Sequence, residues 1–316
     1  MLDNILFSTD RVLPFFVVIL LGWLLRRTGA FDAAFFSQIN RFIYRVAFPL
    51  TMFQNVWSID WRAGVSLRLP LIALVLTALS FGVSWLINEL FVRDKALIGT
   101  LVQGSCRGNF MILGVPLLLA VAGESLRPQV MIASAMVIPF YGVMSTVVLS
   151  VRGRGTAGVR PAAVAKNVLR TPMVIGALAA LGWSALRLPT PVLLSSPLSY
   201  VAQTATGLGL LALGGSIEWR PDNGRLGLAV YAALCKTVLI PVAAVGAAYL
   251  LGLRRMELFY IFGIFGSPTA IVSYSTAREL GGDGPLAANL LLISTLLSVL
   301  TLSGGICLMR GLHWVS

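Results

Sequence analysis

The chain has 316 residues, 57% of them apolar and only 11% charged, with a mean hydropathy of +0.88. Soluble domains carry about 25% charged residues, so a water-soluble enzyme and a disordered chain are both excluded. The net charge of +12 does not signal nucleic acid, because the basic residues gather at the ends of apolar runs, where they orient membrane segments.

Ten apolar segments are predicted, each close to the roughly 20 residues that span a bilayer. The first covers 12–27 and part of its N-terminal flank, and the next four cover 35–57, 69–92, 96–122 and 129–151. A basic stretch follows at 152–170, with Arg152, Arg154, Arg160, Lys166 and Arg170. The last five segments cover 171–187, 198–217, 226–252, 257–279 and 286–310. Turn-rich pieces such as Pro189-Thr190-Pro191 and Gly281-Gly282-Asp283-Gly284 separate them. Asp3 and Asp10 stand where a cleavable signal would carry its basic region, so the first segment is expected to be retained. The basic stretch is expected in the cytoplasm, which puts both termini outside the inner membrane.

An internal repeat runs through these segments. Leu21-Gly22-Trp23 recurs as Leu181-Gly182-Trp183, an offset of 160 residues. The same offset carries Arg27 onto Arg187, Gly108-Asn109 onto Pro268-Thr269, and Gln129 onto Asn289. Five segments per repeat is an odd number, so the two halves lie in opposite orientations, the plan of many secondary transporters. The expected fold is an all-α integral membrane protein of ten transmembrane helices in two inverted five-helix repeats. The first repeat covers 1–151 and the second 171–316, with 152–170 as the linker.

The candidate site lies where two apolar segments are interrupted. The fourth reads Gly104-Ser105-Cys106-Arg107-Gly108-Asn109, and the ninth reads Gly263-Ile264-Phe265-Gly266-Ser267-Pro268-Thr269. Ser267-Pro268 is a helix-start signature, with Ser as N-cap and Pro at the first helical position. A start in mid-membrane implies a broken helix, and Gly108-Asn109 occupies the equivalent place. Two broken helices crossing at one depth would turn half-helix N-termini toward an anion. A single Gly or Pro in such a segment is commonly no more than a kink; the matched pair points to a site.

Buried cations are the second signal, since intramembrane charge is costly. Arg107 adjoins the break in the fourth segment, and Lys236 lies five residues before Pro241 in the eighth. Arg41 and Arg45 share one face of the second segment. Arg41 can snorkel to the interface; Arg45, a turn deeper, joins the candidates. The full set is Asn109, Gly108, Arg107, Ser267, Pro268, Thr269, Lys236 and Arg45.

Other chemistries lack their residues. Glu89, Glu257 and Glu279 lie near segment ends, so no buried carboxylate relay is expected. The cysteines Cys106, Cys235 and Cys307 are odd in number and widely spaced, and His313 is the one histidine, so no metal, disulfide or catalytic triad is expected. There is no P-loop. Neither an enzymatic role nor a cofactor is anticipated.

The runs Ile39-Asn40-Arg41-Phe42, Phe48-Pro49-Leu50, Gly108-Asn109, Gly114-Val115-Pro116, Lys236 to Pro241, and Pro268-Thr269-Ala270-Ile271-Val272 resemble the auxin efflux carrier family. That family includes plant PIN-type auxin transporters and bacterial transporters of malonate and other organic acids. The resemblance spans nearly the whole chain. It implies a scaffold domain and a transport domain, a fold related to the bile-acid sodium symporters and NhaA, and substrate bound where helices 4 and 9 cross, here at Asn109 and at Pro268-Thr269. The plant proteins have Pro-Asn where this chain has Gly108-Asn109, an Asp–Lys pair in helix 3 that is absent here, and often a much longer central loop. These departures point away from auxin and toward a small bacterial carboxylate. The expected function is therefore a secondary carrier of a small organic anion, with the bilayer and that anion as partners and a homodimer left open. A passive channel and a membrane-embedded ligand sensor are the alternatives. A channel would need a continuous polar stripe, whereas the polar residues here gather at one depth.

Overall fold

The computed structural model describes residues 2–57, 66–152, 172–186, 188, 192–217 and 224–315. The basic stretch lies almost entirely outside the described residues, as do Pro189-Thr190-Pro191.

The described residues form helices and no strand. In chain order they are α1 (Leu2–Arg27), α2 (Ala33–Phe42), α3 (Phe48–Trp57), α4 (Arg68–Phe91), α5 (Ile98–Cys106), α6 (Val115–Ala122) and α7 (Arg127–Arg152). Then come α8 (Pro172–Ala185), α9 (Val192–Gly215), α10 (Leu226–Leu234), α11 (Ile240–Leu250), α12 (Met256–Gly266), α13 (Ile271–Glu279) and α14 (Gly284–Gly311).

The sequence of α4 shows why this architecture belongs in lipid. Its exposed positions are Leu71, Val75, Leu79, Val83, Leu86 and Leu90, spaced three or four residues apart on one face. Its buried face carries Thr77, Ser84 and Asn88 among the apolar residues. In α14, likewise, Ser294, Thr295 and Ser298 are buried while Leu296, Leu300 and Leu308 are exposed. Apolar side chains outside and hydroxyls inside invert the soluble pattern, and they fit a hydrocarbon solvent that cannot satisfy polar groups. Among the described residues, five stretches are long and apolar enough to cross a membrane: Asp3–Arg27, Arg68–Phe91, Arg127–Arg152, Leu226–Leu250 and Gly284–Gly311. The protein is an integral membrane protein, helical in its described part.

Among the described residues, three helical stretches contain a widened turn, at Ile43–Ala47, Phe110–Gly114 and Cys235–Leu239. In each, an amide bonds five residues back: Phe48 to Ile43, Val115 to Phe110, and Ile240 to Cys235. The next residue is proline each time: Pro49, Pro116 and Pro241. Proline has no N–H, and its ring would strike the carbonyl four residues back. The extra residue in a π-turn moves that carbonyl aside while the chain stays helical.

The helices pack in two groups that cut across the sequence halves and are joined chiefly where α1 lies along α14. In one, α1 lies along α9 and α3 along α8, with α2 and α3 also on α9. Glycines permit the close approach: a Cβ at Gly214 would run into the Ile19 carbonyl, and one at Gly22 into that of Leu211. Gly182, the repeat counterpart of Gly22, faces open space, so the matching Leu-Gly-Trp triplets pack differently. The other group joins α4, α5 and α7, and packs α10 on α14 and α11 on α12.

The seventh predicted segment starts earlier than expected, at Val192 rather than 198. Pro197 reads as a boundary, but it lies exposed in the second turn of α9, and its missing N–H leaves only the carbonyl of the exposed Leu193 without an intrahelical partner.

The ion pairs gather at one end of the helices. Arg152 pairs with Glu89 at 2.7 Å, and Arg225 pairs with Asp283 and, at 3.9 Å, with Asp94. Asp283 also caps α14, accepting from the Leu286 amide at 2.8 Å. Glu257 accepts from the Arg254 amide at 3.0 Å. These acids act at helix ends.

Candidate functional site

Both interruptions are present, and they meet. α5 ends at Cys106 and helix resumes at Phe110; α12 ends at Gly266 and helix resumes at Ile271. The two extended pieces pair as an antiparallel bridge between Gly108 and Thr269. The Asn109 amide donates to the Pro268 carbonyl at 2.7 Å, and the Ala270 amide donates to the Arg107 carbonyl at 3.1 Å. Unwound backbone inside a membrane protein must find partners, and each break supplies them to the other. The Thr269 hydroxyl donates to the Gly104 carbonyl at 2.8 Å, and its amide donates to Ser294 Oγ at 3.2 Å.

Ser267-Pro268 does not start the second half-helix. Ser267 ends α12, in an extended conformation, and its hydroxyl donates to the Ile264 carbonyl at 3.2 Å. α13 begins three residues after Pro268, with Ala270 at the N-cap and no side-chain cap. Proline disfavours helix in the residue before it, so here it fixes the end of one helix rather than the start of another. Asn109 stands at the N-cap position of the 110–114 turn, but its side chain makes no capping bond; its carbonyl takes the Leu113 amide at 3.0 Å.

Two cations attend the crossing. Lys236 is fully buried and donates to the Phe265 carbonyl at 2.7 Å, at the C-terminal end of α12. A lysine there answers the negative end of the helix dipole. Arg107 is itself the C-cap of α5, and its guanidinium donates to Ser145 Oγ at 3.3 Å and Thr276 Oγ1 at 3.4 Å. Among the described residues neither is paired with a carboxylate.

Gly108 holds the pieces together by having no side chain. A Cβ there would lie 2.6 Å from Ser267 Oγ, 3.2 Å from Lys236 Nζ and 3.4 Å from the Ile264 carbonyl. Seven of the eight candidates thus converge. Arg45 does not join them: it is exposed and lines a cavity between α3 and α8.

Several polar atoms at the crossing are buried without a hydrogen-bond partner. Asn109 Nδ2 is one, in a residue only 5% exposed. Gln103 Oε1 and Ser273 Oγ are others, although Gln103 Nε2 donates to the Ser273 carbonyl at 2.7 Å. Buried orphans are rare and costly, about 1–3 kcal/mol each. Gln103, Ser145, Ser273, Thr276 and Ser294 escape the sequence reading; the available signal was a polar side chain repeated within an apolar segment. Beyond Thr276 on the same helix, a cavity of about 390 Å³ is lined by Tyr274, Arg278, Gly282, Gly284 and Pro285.

Residues 7–306 match the family model described as "Membrane transport protein". The chain is 26% identical over 309 residues to a protein of Rhizobium meliloti named "Putative malonate transporter", covering 96% of both chains. It is 23% identical over 300 residues to an uncharacterized transporter of Methanothermobacter thermautotrophicus, covering 93% of this chain and 96% of that one. An uncharacterized transporter of Methanocaldococcus jannaschii is 22% identical over 308 residues, with 93% and 96% covered. With helices suited to lipid and a match along almost its full length, the chain belongs to the membrane transport protein family, the auxin efflux carrier family of the sequence resemblance.

Proposed function

We propose that this protein is a secondary carrier of a small organic anion, a mono- or dicarboxylate, that works by alternating access in the bacterial inner membrane. The observation that carries the reading is Asn109 Nδ2, a buried donor without a partner at the meeting point of two broken helices. A carboxylate is an acceptor and fits such a donor. Lys236 adds positive potential at the same point, and the Thr269 backbone fixes the crossing. The relative named for malonate supports a carboxylate of that size.

The architecture proposed is ten spans in two inverted repeats, 1–151 and 171–316, with 152–170 in the cytoplasm and both termini outside. The group α1, α2, α3, α8 and α9 serves as scaffold, and the group holding the crossing moves against it. The orientation is checked on a version without Cys106, Cys235 and Cys307. A cysteine at Ser66 should react with an impermeant thiol reagent on intact cells, and one at Thr28 should not. The opposite labelling would reverse the orientation.

The site is tested by thermal shift on purified protein with a series of mono- and dicarboxylates that includes malonate, because a ligand of the folded state raises its apparent stability. Asn109→Ala should weaken the best ligand by roughly 10- to 150-fold, the loss of one hydrogen bond to a charged group at about 1.5–3 kcal/mol. Binding equal to wild type would place the site elsewhere.

A further inference from the structure

Arg45 is the candidate cation that the crossing leaves unused. It is exposed within an apolar segment and has no ion pair or hydrogen bond among the described residues. Arg41, four residues earlier on the same face, is also exposed. Arg45 stands at the edge of a cavity of about 470 Å³ between α3 and α8, whose walls include Pro49, Leu50, Phe53, Ile175 and Trp183. Pro172, which opens α8, lies on the same cavity, and Lys166 and Arg170 precede it in the chain.

We propose that this groove binds an anionic phospholipid, with the phosphate on Arg45 and Arg41 and an acyl chain along the apolar wall. A guanidinium at lipid depth needs an anion, since unpaired charge in hydrocarbon is costly. Arginine suits phosphate because its planar fork offers two parallel donors. Basic pockets between membrane helices on the cytoplasmic side take acidic headgroups. The groove joins a fixed cation to an apolar trough, which is the pattern of an amphiphile. A second copy of this chain fits less well: of the described acidic side chains only Asp10 lies within a helix, away from the helix ends, so it would bring a largely apolar face with little to pair Arg45.

The test is native mass spectrometry of the purified protein after exchange into mixed micelles. Phosphatidylglycerol should remain as a one-to-one adduct, while phosphatidylcholine with the same chains and inorganic phosphate should not. Arg45→Gln should cut the retained phosphatidylglycerol roughly tenfold, the order for losing a charge-assisted contact, and Arg45→Lys should lose less. Ala179→Phe, which fills the trough and leaves the arginine in place, should also lose the adduct, so the result does not hang on one variant's folding. Asn109→Ala should keep it, which separates this groove from the proposed substrate site. Equal retention of the two lipids would overturn the proposal. So would phosphatidylglycerol held undiminished by both Arg45→Gln and Ala179→Phe, or a lipid-independent dimer that Arg45→Gln abolishes.

Discussion

Lys236→Met should produce a protein at least as heat-resistant as the parent that exchanges its anion far less avidly. The lysine is fully buried, and its Nζ meets one acceptor, the Phe265 carbonyl. Taking an ammonium group out of water costs several kcal/mol. Methionine matches its length without that cost, which outweighs the penalty of about 1–3 kcal/mol for leaving the buried Phe265 carbonyl without its donor. The proposed anion, however, loses the buried positive charge at the crossing. Half-saturation for counterflow in proteoliposomes should rise by roughly 10- to 150-fold, the worth of one charge-assisted contact. Melting temperature and counterflow are read on the same preparation. Counterflow at the parent level would reduce Lys236 to a cap on α12, and so would a loss that merely follows lost folding.

Gly108→Ala should damage the same crossing by a different route. Its methyl group would sit 2.6 Å from Ser267 Oγ and 3.2 Å from Lys236 Nζ. Lysine can bend away at its flexible end. The serine hydroxyl must leave the Ile264 carbonyl, which it holds at 3.2 Å. Overpacking of this kind costs about 1–3 kcal/mol, seen as a lower melting temperature and weaker counterflow. Ser267→Ala in the same chain removes the obstructing oxygen and should recover part of both. Additive losses in the double variant would mean that the two residues do not meet.

The sequence disclosed the breaks and their pairing because glycine and proline punctuate apolar runs legibly, and because one offset related Gly108-Asn109 to Pro268-Thr269. It misassigned Ser267, since a serine before proline has the same signature whether a helix starts there or ends. The π-turns escaped notice because a slip in the hydrogen-bond ladder leaves the apolar pattern intact; only the prolines at 49, 116 and 241 mark them. Arg45 and Arg107 look alike in sequence, each a cation in an apolar segment. Tertiary packing separates them, turning one to Ser145 and Thr276 and the other outward. Ser294 could not be singled out, because a hydroxyl becomes a partner for Thr269 only after α14 packs beside the crossing.

The bridge between Gly108 and Thr269 also acts as a mechanical constraint. Two amide–carbonyl bonds rivet four half-helices at their inner ends, among buried residues. Prising one strand from the other would strand two donors and two acceptors at once, at about 1–3 kcal/mol for each group. A thermal fluctuation therefore meets a stiff joint rather than a hinge. Displacement of either strand drags the other, so the crossing has the freedom of a single plate that can tilt or slide whole but cannot open along its own seam.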